Sequence, residues 1–228
     1  MWPLALLAGL LPLVATLLAW ALSVRLELVP ACNPFIDGCT SISRAARHEL
    51  PNHLFRALML PAATLQGLVW LLAALWLRQA LGPANPRRGP VAMAALGLTA
   101  AAALVLYATF LGTEGAVYRL LRQYGTVTYF GFTCICMLLL GQGVQALARQ
   151  GRAPRLPQPL VRAHMSLACT LVLLGVVNAI VAATLSDAWK GRAENVTEWW
   201  GALIFVLCFW ALAAMWWRAG VRLGWRLG

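Results

Sequence analysis

Six stretches of this chain contain no Asp, Glu, Lys or Arg: Trp2 to Val24, Ala57 to Leu77, Val91 to Thr113, Gln123 to Ala148, Met165 to Ser186, and Trp199 to Trp217. A segment needs about 20 mostly apolar residues to cross roughly 30 Å of hydrocarbon, and only a helix satisfies its backbone polar groups within one such segment. The pattern therefore predicts an all-α polytopic membrane protein, a single six-span domain over residues 1–228 folded as a six-transmembrane-helix bundle. What remains is one long loop, four shorter connections and a tail, too little for a separate soluble domain. Composition agrees, since 61% of residues are hydrophobic and 11% charged, against about 25% charged in a soluble domain. Ala19-Trp20-Ala21 looks like a signal-peptide cleavage site. No positive charge precedes the run, however, and it exceeds the roughly 7–15 residues of an h-region, so it is expected to be the first span.

Orientation follows from how basic residues divide between the loops. Arg78, Arg87, Arg88, Arg149, Arg152, Arg155, Arg162, Arg218, Arg222 and Arg226 fall on one side with no acid. Arg25, Arg44, Arg47, Arg56, Arg119, Arg122, Lys190 and Arg192 fall on the other, together with all 7 acids. This division predicts cytoplasmic termini and an extracytoplasmic first loop. Arg outnumbers Lys by 17 to 1, the codon bias of a GC-rich bacterial genome, which points to a bacterial inner (plasma) membrane. The net charge of +11 is read through this topology; with no basic helix or RNA-binding signature, nucleic acid is not an expected partner.

The spans offer little chemistry. No GxSxG, HExxH or P-loop motif occurs, so no nucleophile-class catalysis is expected. The absence of carboxylates from the apolar runs disfavours a proton pump. His48 and His53 fall outside the spans and His164 at the terminal end of the fifth, which argues against a bis-histidine haem. Pro51 is expected to break the helical register between His48 and His53 and so to spoil a metal site there. No cofactor or metal is predicted. Cys134, Cys136, Cys169 and Cys208 are expected to be small buried apolar residues, and Cys32 and Cys39 to form a disulfide across a short Pro/Gly loop. Polar span residues such as Gln66, Thr99, Thr170 and Asn178 are expected to hydrogen-bond between helices. Asn178 is also a candidate for a functional role. Ala95, Thr99 and Ala103 form a small-residue stripe, and Gly141 and Gly143 thin the fourth span, both suited to close helix packing. Trp70, Trp76, Trp189, Trp199, Trp200, Trp216, Trp217 and Trp225 lie near span ends and are expected to anchor at the interface.

The long first loop, Pro30 to Arg56, is the densest in polar residues. Ser41 to Leu50 can form a short helix capped by Ser41 or Ser43, with Arg44, Arg47 and His48 on one face and Arg56 above the second span. Guanidinium groups at headgroup height suit bidentate phosphate contact. The predicted site is a lipid-headgroup site of Arg44, Arg47, His48 and Arg56.

Asn33-Pro34-Phe35-Ile36-Asp37-Gly38-Cys39-Thr40 in the first loop, Leu54-Phe55-Arg56 opening the second span, and Asn195-x-x-Glu198-Trp199 opening the last resemble the DRAM/FRAG/SFK family of six-span membrane proteins. The chain lacks that family's Ser before the loop aspartate. The resemblance implies a lipid-handling or lipid-organising role, without an established catalytic mechanism, and it adds Asp37, Glu198 and Trp199 to the site. The expected function is non-enzymatic lipid binding, with membrane lipid as partner. The alternatives are an accessory subunit with a protein partner or homo-oligomer, a small-molecule transporter, and a lipid-modifying enzyme using Asp37, His48, Glu49 or His53.

Overall fold

Every apolar stretch is a helix, and each runs past at least one end of its charge-free core. A computed structural model describes residues 1–82, 88–153, 155–184 and 186–221; Arg87, Arg222, Arg226 and Trp225 lie outside the described residues. The helices are α1 (Trp2–Arg25), α2 (Ile42–Ala45), α3 (Glu49–Leu81), α4 (Arg88–Phe110), α5 (Ala116–Arg149), α6 (Gln158–Thr184) and α7 (Asp187–Ala219). All but α2 are long and apolar enough to cross a membrane, so this is an all-α, multi-pass membrane protein.

The six long helices form a closed ring. Each packs on its neighbour from α3 to α7, and α7 returns to α1, which packs on α3; α3 also touches α5 across the ring. Small residues set the spacing, because lipid supplies no hydrophobic drive between helices. Gly97 is the clearest case: a Cβ there would run into the Trp70 ring. The buried face of α4 carries Met93, Gly97, Ala100, Leu104 and Ala108, spaced three or four apart. This corrects the predicted stripe, since Ala95 and Thr99 face outward and only Ala103 is buried. Gly141 and Gly143 do mark close approaches, to Met165 and Leu77.

Helix ends are closed by side chains from other segments. Arg152 donates to the Ala80 and Leu81 carbonyls at the end of α3, and Arg122 to the Phe110 and Thr113 carbonyls at the end of α4. Both complement the negative pole of a helix. Gly220, left-handed, ends α7 with bonds from its own N–H to Trp217 and from the Val221 N–H to Trp216.

Several expectations about polar and aromatic residues change. Among the span threonines, Thr99 and Thr170 bond carbonyls of their own helix four residues back, whereas Gln66 and Asn178 do link helices. Thr197 donates to Asn178 at 2.8 Å, joining α6 to α7, which gives Asn178 a packing role. Trp70, Trp199 and Trp216 are fully buried core residues, while Trp189, Trp200 and Trp217 stay exposed. Cys136 and Cys208 are buried as expected, but Cys169 lies on the outer face of α6. His164, near the start of α6, is 1% exposed and lies inside the bundle against the Met137 carbonyl.

Candidate functional site

The first loop is folded by its own sequence before it touches the bundle. Asp37 accepts the Asn33 N–H at 2.9 Å, Asn33 accepts the Phe35 N–H at 3.1 Å, and the Asn33 carbonyl accepts the Ile36 and Asp37 N–H groups. The Cys32–Cys39 disulfide closes this turn. Asp37 is therefore engaged within the loop's own frame. Gly38, at φ +60, permits the final bend, and a side chain there would strike the Arg192 carbonyl of α7.

The loop then docks on one end of α7. Asn195 donates to Gly38 O at 2.7 Å, Trp199 to Thr40 O at 2.9 Å, and Trp200 to Phe35 O at 3.1 Å. The Phe35 ring packs on both indoles, with centroids 5.4 and 5.5 Å away. Glu198, on the same face, turns its carboxyl group toward the backbone N–H groups of Ile42 and Ser43. Those are free donors of the first turn of α2, where an acid is favoured. Ser41 caps α2 by accepting the Arg44 N–H, as expected. Glu198 and Trp199 thus face the cap, and the loop segment 33–40 meets the α7 segment 195–199 here.

The predicted arginine face does not form. α2 stops at Ala45, and the chain turns through Arg47 and His48 before Glu49, at φ +42, opens α3. Pro51 sits in the first turn of α3, where proline is tolerated, so the break lies at His48 and not at Pro51. Asn52, buried, fixes this turn by donating to Ala46 O at 2.9 Å and Leu111 O at 3.0 Å. Arg44 is exposed, Arg56 half-buried, and neither lines a cleft with Arg47. His53 is tied to the Glu49 carbonyl of its own helix.

Arg47 and His48 instead face the connection between α4 and α5. Together with Gly112, Thr113, Glu114, Gly115, Arg119 and Arg122 they line a cleft of about 560 Å³. Three guanidinium groups, one imidazole and one carboxylate make it a cationic recess suited to phosphate oxygens. Arg119 and Arg122 were missing from the sequence-based site. Their spacing of three residues at the start of a helix, on one face, behind a Gly-Thr-Glu-Gly turn, was the available signal.

Behind the cap the ring encloses a second space, lined among others by Gln66, Tyr107, Tyr129 and Glu198. Tyr107 lies within electrostatic range of Glu198, Arg47 and Arg122 and so stands between cavity and cleft. Fold and site together define a multi-pass membrane protein with a disulfide-closed cap over a helical ring and an arginine-lined cleft beside it. No family model, curated protein or solved structure matches the chain.

Proposed function

We propose that this is a non-enzymatic lipid-binding protein of a bacterial inner membrane, with cytoplasmic termini, whose arginine cleft receives an anionic lipid headgroup. One observation carries the reading: Arg47 and His48 from the first loop converge with Arg119 and Arg122 from the first turns of α5, in a recess with a single carboxylate. Arginine forks match phosphate oxygens bidentately. Arg122 also holds the end of α4, leaving Arg47 and Arg119 as the headgroup contacts best separated from structure. A relationship to the DRAM/FRAG/SFK family supports the lipid assignment and belongs to the same proposal.

Native mass spectrometry of the full chain in mild detergent tests this. Wild type and an Arg44→Ala/Arg56→Ala control are expected to retain an anionic phospholipid. An Arg47→Ala/Arg119→Ala variant should lose it by about tenfold or more, since a charged hydrogen bond contributes about 1.5–3 kcal/mol. Equal lipid retention in all three chains overturns the reading.

A further inference from the structure

The cavity under the cap occupies about 190 Å³ between α1, α3, α4, α5 and α7, and Phe35, Ile42 and Ser43 roof it. Its lining along α7 runs from Glu198 to Phe209, about 16 Å at a 1.5 Å rise per residue. The space is therefore long and narrow, with walls that are mostly aromatic and aliphatic. Apolar cavities of about this size stay dry and take small apolar molecules.

Its deep end holds an acceptor with no donor. Gln66 is 2% exposed, and its Nε2 donates to Ala8 O at 3.1 Å. That bond has a cause in the sequence: Pro12 has no N–H, so the Ala8 carbonyl lacks its helical partner four residues on, and Gln66 supplies one from α3. The amide orientation is fixed as a result, because turning it over would set two oxygens against each other. Oε1 is left buried without a hydrogen bond, although Tyr129 faces Gln66. A ligand donor would relieve an unsatisfied group of the kind that costs about 1–3 kcal/mol. At the roofed end stands the Glu198 carboxyl group, and the lining holds no Arg, Lys or His, so a ligand carboxylate would enter this apolar space without a cation to pair with.

We propose that this cavity binds one single-chain apolar molecule of about six to eight carbons carrying a neutral hydrogen-bond donor, of the medium-chain alcohol or primary amide class, with the donor on Gln66 Oε1. It excludes fatty-acid anions, which would find no cation in it, and two-chain phospholipids through its width. The site is separate from the arginine cleft and stands whether or not the cleft binds lipid.

The test uses the full chain in nanodiscs of zwitterionic phospholipid and three diazirine photoprobes built on one eight-carbon chain: octanol, its methyl ether, and octanoate. Adducts are mapped by mass spectrometry. The alcohol is expected to label the Phe55 to Met59 and Glu198 to Phe209 segments saturably, in competition with unlabelled 1-octanol. The ether and the carboxylate should label them at least about tenfold less. Ala202→Phe, placed to fill the cavity, should abolish labelling while the thermal midpoint holds or rises. Gln66→Met should bring the alcohol down to the level of the ether. Equal labelling by the three probes on wild type, which requires no variant to fold, overturns the proposal. So does alcohol labelling that survives Ala202→Phe.

Discussion

Asn52 shows how much one side chain can organise. Its amide donates to two buried carbonyls, Ala46 at the end of the α2 turn and Leu111 just past α4, and so brings Arg47 against Gly112. Gly112 is at φ +84, and a Cβ there would approach the Arg47 carbonyl to 2.6 Å. Replacing Asn52 by Ala leaves both carbonyls buried without that donor, at about 1–3 kcal/mol each. We expect Asn52→Ala to lower stability by about 2 kcal/mol or more, read as a fall in thermal midpoint in detergent. Asn195→Ala, which removes one half-buried bond to Gly38 O, should cost about 1 kcal/mol. Equal effects would place the weight on the α7 contact instead. In the sequence Asn52 reads only as a polar residue before a span, because its partners, Ala46 and Leu111, are unremarkable carbonyls that the fold alone brings near. Trp199 misled for a similar reason. Position at a span end suggests an interface anchor, yet the docked cap buries it to 2% exposure.

At the scale of elements, the long helices were legible because lipid enforces them: a charge-free run has no other way to satisfy its backbone. Their polar extensions were not, since those depend on contacts such as the cap on the first turns of α7. The same limit explains α2. Its N-cap serine is a local signal and was legible, whereas its end comes from the turn at Arg47 and His48 that Asn52 and Gly112 fix across the bundle. The cap loop has one further constraint, the Cys32–Cys39 bridge. Closing so short a loop limits the unfolded chain by about 2 kcal/mol in the chain-entropy account, and it holds Phe35 over Trp199 and Trp200. A Cys32→Ser/Cys39→Ser chain should therefore melt earlier by that amount and become sensitive to protease between residues 33 and 38. Unchanged melting and protection would mean that Asn195, Trp199 and Trp200 hold the cap without the bridge.

For the whole molecule, the ring fixes which segments share a side. The cap, the α4–α5 turn and the arginine cleft lie at one end, and Arg149, Arg152 and Arg155 at the other with the start of α1 and the end of α7. Basic residues alone divide too evenly between the ends to orient the ring decisively, and acids add little to that rule. The disulfide gives an independent argument, because such bonds persist in the periplasm and are reduced in the cytosol. Both arguments support the proposed orientation, with the capped end outside. In a chain whose free cysteines are replaced, a single cysteine at Glu114, exposed in the cleft, should react with a membrane-impermeant maleimide on intact spheroplasts. One at Arg155, exposed at the far end, should react only after lysis. The reverse pattern would put the cleft in the cytoplasm and expose the Cys32–Cys39 pair to reduction. It would also assign the headgroup site to inner-leaflet lipids, so this one experiment decides which leaflet the cleft reads.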